Sequence, residues 1–142
     1  MPERTAHAHW EGAIKSGHGS IRAGSGAFES EYSFGSRFED RPGTNPEELL
    51  GAAHSGCFTM ALALGLSEAD HPPTRIDTTA SVSIEKEPSG FRITHIVLHT
   101  EAEVPGLDVA QFQRYAEVAK ANCPVSRALA GTEIELEAKL LV

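Results

Sequence analysis

The sequence has no long uninterrupted apolar run. Nowhere do about 18 apolar residues follow one another, and the start, Met1-Pro2-Glu3-Arg4-Thr5-Ala6-His7, places no apolar stretch behind a basic one. A soluble, cytoplasmic protein without a classical export signal is expected. Basic charge is also sparse: 12 lysines and arginines stand against 20 aspartates and glutamates, for a net charge of -8. The basic residues are scattered, so nothing resembles an electrostatic footprint for a phosphate backbone, and nucleic acid and anionic membrane are poor partners. Repeats and low-complexity segments are missing. Cysteine is rare, with two in the chain. In a compartment where disulfides seldom persist, two thiols point to redox or ligand chemistry, or else to two buried structural residues.

What is present fits one domain spanning residues 1–142, with 40% hydrophobic content for a single core. Ala6 to Gly12 alternates small or apolar residues with polar ones, as a strand does, and the glycines up to Gly26 punctuate a short meander. A further strand is expected over Tyr32 to Arg37, ending at the turn Asp40-Arg41-Pro42-Gly43. Asn45 as cap, Pro46 at the first helical position and Glu48 as a capping carboxylate then start a helix that runs to about Glu68. That helix is apolar almost all round, which predicts a central, buried element carrying Cys57 at its middle.

After His71-Pro72-Pro73, the residues Ile76, Thr78, Ala80, Val82 and Ile84 alternate with polar partners and predict a half-buried strand. A turn at Pro88-Ser89-Gly90 joins it to Phe91–Val104, whose alternation changes phase between Ile93 and Ile96, as a bulge would require. Asp108 with Gln111 opens a second helix. Pro124 breaks it at Cys123 and can start a new turn. Ile134, Leu136, Ala138 and Leu140 mark the closing strand. The order gives an α+β fold with mostly antiparallel pairing. A helix apolar on all faces in so small a domain also predicts a tight dimer.

An unperturbed thiol, with a pKa of about 8.5, is only slightly ionised at neutral pH, so nucleophilic attack needs a nearby cation or helix dipole. Cys57, in mid-helix, gains little from the dipole. Lowering its pKa by about two units takes about 2.7 kcal/mol, within reach of one fixed arginine. Arg37 is the candidate, with Glu47 in the first helical turn able to hold its guanidinium in a bidentate pair. Alternatively, Arg37 is a solvated strand-end charge and Glu47 an acid favoured at a helix start. Cys123, at a forced helix break, has free backbone donors nearby and can condense with an oxidised Cys57 before over-oxidation.

His54, one turn before Cys57, raises the rival possibility of a Cys–His nucleophile of the thiol-hydrolase kind, although no oxyanion hole or orienting carboxylate accompanies it. A packed helix histidine is the plainer reading. His7 and His9 form a His-x-His on a strand face, but no Cys-x-x-Cys is present, so no metal site is expected. The remaining histidines carry no metal reading. The segment Gly17 to Gly26 lacks the lysine of a phosphate loop and any dinucleotide fingerprint.

The run from Thr44 through Asn45-Pro46-Glu47-Glu48 to His54-Ser55-Gly56-Cys57-Phe58, together with Cys123-Pro124-Val125-Ser126, closely resembles the OsmC/Ohr family. His9-Trp10-Glu11-Gly12, Ser36-Arg37-Phe38-Glu39 and Ile76-Asp77-Thr78-Thr79-Ala80 extend the likeness over nearly the whole chain and favour the osmotically inducible OsmC branch. The resemblance implies an intertwined homodimer with antiparallel sheets wrapped around central helices. It also implies a thiol peroxidase that reduces organic hydroperoxides, and hydrogen peroxide more weakly. By position, Cys57 matches the peroxidatic cysteine, Cys123 the resolving cysteine, Arg37 the activating arginine and Glu47 its orienting carboxylate. A Cys57–Cys123 disulfide and an external dithiol reductant, such as a dihydrolipoyl or lipoylated group, are implied, with no metal, flavin or haem. Apolar residues around Phe58 and Met60 are expected to favour substrates with an organic tail. The competing class is a non-enzymatic stress or binding protein with an apolar pocket.

Overall fold

In the computed structural model, which describes residues 2–141, the chain divides into a unit ending at Leu49 and one beginning at Leu50. The first unit opens with three antiparallel strands in sequential order, β1 (Ala6–Glu11), β2 (His18–Ala23) and β3 (Glu29–Tyr32). Trp10 lies opposite Gly19, and Gly19 opposite Tyr32. A Cβ on Gly19 would come within 2.3 Å of the His9 carbonyl oxygen and within 3 Å of both rings. Its absence lets Trp10 and Tyr32 meet edge to face across the sheet, with centroids 5.4 Å apart.

The strand expected over Tyr32 to Arg37 ends at Tyr32. Its remainder is a short helix, α1 (Phe34–Phe38). Ser33 and Ser36 explain the difference, because each side chain accepts the other's backbone N–H in a reciprocal capping box. Phe34 and Phe38, four apart, then pack on one helical face with centroids 5.1 Å apart. Arg37 is therefore a last-turn helix residue rather than a strand end.

Ser36 also ties down the next loop by donating to the Thr44 carbonyl at 2.7 Å, and Asn45 Nδ2 returns a bond to the Ser36 carbonyl at 3.1 Å. The side chain of Asn45 caps α2 (Pro46–Glu68) by accepting from the Glu48 N–H at 2.7 Å, as expected. Glu48 does not complete a capping box; its carboxylate accepts from the Thr44 hydroxyl instead.

The second unit contains most of α2, the hairpin β4 (Arg75–Glu87) and β5 (Gly90–Glu103), α3 (Val109–Asn122), α4 (Pro124–Ala128) and β6 (Glu133–Leu141). The bulge lies where the alternation changed phase: Ser83 pairs with His95 and Ile84 with Ile93, which leaves Thr94 as the extra residue. Asp108 and Gln111 cap α3 reciprocally. One pairing departs from the antiparallel expectation, because β6 runs parallel to β5, with Ile96 opposite Ile134 and Leu98 opposite Leu136. The helical connection through α3 and α4 makes this possible, since parallel neighbours need a crossover rather than a tight turn.

Phe58, Leu62 and Leu66 of α2 pack with Ile96, Leu98 and Ala102 of β5 and with Phe112, Ala116 and Ala119 of α3. Together with His54, these α2 residues follow the four-residue repeat of one buried helical stripe. A hydroxyl chain runs beside it, from Thr59 to Thr78 at 2.8 Å and from Thr78 to Thr100 at 2.9 Å. Helix α2 is long and apolar enough to cross a membrane by length and composition alone, but its core stripe is packed against protein. It is not buried on every side as expected, because in the single chain Met60 is 76% and Leu64 60% exposed.

Candidate active site

Cys57 projects from the middle of α2, and Cys123 occupies the joint between α3 and α4. The joint forms as Pro124 dictates. Cys123 ends α3 by donating its backbone N–H to the Ala119 carbonyl at 2.9 Å, then starts α4 with Pro124 in the first turn. The Ser126 N–H donates to Cys123 Sγ at 3.4 Å, so the sulfur takes the place of a capping oxygen.

The fold thus brings the two free thiols into a hydrogen-bonded contact, with Sγ to Sγ at 3.1 Å. Cys123 is fully buried and Cys57 half-buried, so of the pair Cys57 is open to an incoming reagent. Their acidities diverge. Burial raises the pKa of Cys57 above the ordinary thiol value, and the neighbouring Cys123 raises it further. Burial also acts to raise Cys123, but the Cys57 contact, the N–H and hydroxyl of Ser126 and the Val125 N–H outweigh it and leave Cys123 below the ordinary value. The contact thus favours the neutral form of Cys57 and the ionised form of Cys123.

His54 is fully buried one turn before Cys57, and its Nε2 lies 2.7 Å from Ser126 Oγ. Burial depresses its pKa, so the ring is neutral near pH 7. Among the described residues Nδ1 has no hydrogen-bond partner, and the rival Cys57–His54 nucleophile pair is not formed there. The contact with Ser126 spans 72 residues and had no signal in the sequence beyond a serine three positions after a capping cysteine.

In the first unit, Arg37 and Glu47 form the bidentate pair that their residue types allow. Nε donates to Oε1 and one terminal nitrogen to Oε2, each at 2.9 Å. The Glu47 side chain is 8% exposed and that of Arg37 35%, so the carboxylate anchors a guanidinium that still reaches the surface. The reading of two solvated, unrelated charges is thereby replaced. The Arg37 guanidinium also lies over the Phe38 ring, 5.2 Å from its centroid. Trp10, Tyr32, Phe34 and Phe38 join Arg37 in lining a cavity of about 240 Å³. Phe58, expected beside the substrate, is instead sealed in the core.

A model of the family described as OsmC-like protein matches residues 38–139. The chain belongs to the OsmC-like family. Among its OsmC-like relatives is peroxiredoxin OsmC of Escherichia coli (strain K12), 51% identical over 138 residues that make up 96% of each chain. The organic hydroperoxide resistance protein of Xanthomonas axonopodis pv. citri (strain 306) is 36% identical over 90 residues, 63% of this chain and 61% of its own. The crystal structure of an organic hydroperoxide resistance protein OsmC from Legionella pneumophila superposes with a TM-score of 0.77. At 22% identity, covering 100% of this chain and 98% of that one, it shows the shared OsmC-like fold.

Outside these residues, the OsmC-like chain brings together one set of possible metal ligands among its described residues, His95, Glu133 and Glu135. The carboxylates face different nitrogens of one ring, Glu133 near Nδ1 at 3.6 Å and Glu135 near Nε2 at 3.2 Å. His95 and His99 are four residues apart but lie on a strand, so they are separated by roughly 13 Å and cannot share one ion. His9 is paired with Glu11 at 3.3 Å on the exposed edge of β1.

Proposed function

We propose that this protein is a cysteine-based peroxidase that reduces organic hydroperoxides to alcohols, and hydrogen peroxide more weakly. The reading rests on one observation above all: two free thiols 3.1 Å apart, one open and one sealed, with hydrogen-bond donors gathered on the sealed one. Membership of the OsmC-like family, and relatives named as a peroxiredoxin and an organic hydroperoxide resistance protein, support it.

In the proposed cycle the Cys123 thiolate accepts the Cys57 proton across the sulfur contact. The Cys57 thiolate attacks the terminal peroxide oxygen, the O–O bond breaks, and the alkoxide leaves with the electron pair and is protonated by Cys123. Cys57 is now a sulfenic acid and Cys123 is again a thiolate. Its attack on Cys57 forms the disulfide and releases hydroxide. Arg37, oriented by Glu47, is assigned to stabilise the Cys57 thiolate and the developing alkoxide. The bidentate pair uses Nε and one terminal nitrogen, and the second terminal nitrogen is assigned to donate to the reacting atoms. The aromatic cavity beside Arg37 offers apolar walls for an organic tail.

No metal, flavin or haem enters this cycle. A small dithiol of the dihydrolipoyl type, free or on a lipoylated partner, is proposed to reopen the disulfide in the cytoplasm. An intertwined homodimer is proposed to cover the apolar face of α2 that carries Met60 and Leu64.

The test is to mix fully reduced protein with one equivalent of cumene hydroperoxide, quench within seconds, count thiols and locate the new bond by peptide mass mapping. Loss of both thiols with a Cys57–Cys123 link, faster than with hydrogen peroxide, is expected. Survival of both thiols overturns the reading.

A further inference from the structure

The proposed cycle makes no use of His54, although burying a histidine with one nitrogen unpartnered among the described residues is a costly arrangement that an apolar side chain would avoid. The orphan atom carries information. A neutral imidazole has one N–H and one lone pair. If Nε2 were the acceptor from Ser126, Nδ1 would hold a buried N–H with no partner, and unpaired buried N–H groups are the rarer kind of orphan. The opposite tautomer leaves only a lone pair unsatisfied at Nδ1. It places the proton on Nε2, which then donates to Ser126 Oγ across 2.7 Å.

Once Ser126 Oγ accepts that proton, the serine's own hydrogen must point elsewhere. Cys123 Sγ is the acceptor at hand, since it already takes the Ser126 N–H at 3.4 Å. The Ser126 hydroxyl is indeed among the groups that favour ionisation of Cys123.

We infer that His54 is a positioning residue for disulfide formation: its Nε2–H donates to Ser126 Oγ, which turns the serine hydroxyl onto Cys123 Sγ and holds that sulfur as the attacking thiolate. The same contact ties α2, which carries Cys57, to the first turn of α4, which caps on Cys123. The inference rests on the peroxidase reading and concerns its second step. There the Cys123 thiolate attacks the sulfur of the Cys57 sulfenic acid. The S–S bond forms, the S–O bond breaks, and hydroxide leaves with the electron pair and takes a proton from water. The oxidising equivalents are those already delivered by the peroxide.

The experiment compares the wild type with His54→Leu, His54→Gln and Ser126→Ala. After one equivalent of cumene hydroperoxide, trapping with a 1,3-diketone follows the sulfenic acid while peptide mapping follows the disulfide. The ultraviolet thiolate absorbance of the resting proteins at neutral pH is read in parallel. The ratio of disulfide formation to sulfenic acid formation is expected to fall about tenfold in His54→Leu and in Ser126→Ala, the scale of one lost hydrogen bond to a charged group. The thiolate signal should fall with it. His54→Gln, which can donate from the Nε2 position but cannot act as a base, should recover most of both. A wild-type ratio and thiolate signal in Ser126→Ala, or a folded His54→Gln no better than His54→Leu, overturns the assignment. If the wild type forms no sulfenic acid while the variants still lose thiolate signal, the donor chain stands and the peroxidase reading falls.

Discussion

The sulfurs of Cys57 and Cys123 meet at 3.1 Å although 66 residues separate them, and the backbone and hydroxyl of Ser126 back the Cys123 side. The pair is thereby divided into an open sulfur and a sulfur already poised to ionise. Replacing each in turn should separate the two steps. Cys57→Ser is expected to abolish peroxide consumption. Cys123→Ser should allow one turnover and then accumulate sulfenic and higher acids at Cys57, as seen by mass spectrometry of the intact chain after graded peroxide.

The Arg37–Glu47 pair is built as a clamp, with the carboxylate buried and the guanidinium reaching the surface. Arg37→Lys keeps the charge but loses the two-pronged bond, so the first-step rate should fall by about tenfold to a hundredfold. Arg37→Met also leaves the Glu47 carboxylate buried and unpaired. Its denaturant midpoint should drop, corresponding to a loss of about 1–3 kcal/mol.

His54 sets an acid limit on stability. Its folded-state pKa is depressed by burial, below the ordinary value of 6.5, so between the two values the unfolded chain binds more protons than the folded one. Stability therefore rises with pH through that window and is lost as pH falls from about 6.5 toward the folded value. Unfolding free energies measured from neutral to acid pH should show this slope in the wild type and a flatter one in His54→Gln.

Leu64 is 60% exposed in the single chain, on the open face of α2 with Met60. If a second copy covers that face, Leu64→Glu buries a charge at the contact, which is strongly unfavourable. The wild type should then run at twice the chain mass in sedimentation or light scattering, and the variant should dissociate. A monomeric wild type at micromolar concentration would overturn the dimer.

Much of this was legible along the chain because it depends on neighbours in sequence. Asn45 and Pro46 start α2, Asp108 and Gln111 start α3, and Pro124 forces the joint at Cys123. The bulge opposite Ser83 and Ile84 was visible as a change of phase in β5. The same local reasoning failed between Ser33 and Phe38. There the alternation of Tyr32, Phe34 and Ser36 imitates a strand, while the reciprocal serine caps favour a helix.

The sequence by itself determined where the helices begin and break, which residues could ionise or attack, and the family to which those motifs point. The parallel seating of β6 beside β5, the His54–Ser126 contact and the opposite pulls of the surroundings on the two thiols were decided only by the tertiary structure. The physical reason is range. Caps and periodicity act over a few residues, whereas burial and donor placement depend on groups that the chain brings together from far apart. Phe58 lies next to Cys57 in sequence yet is sealed in the core, while Ser126, distant in sequence, holds the sulfur beside it.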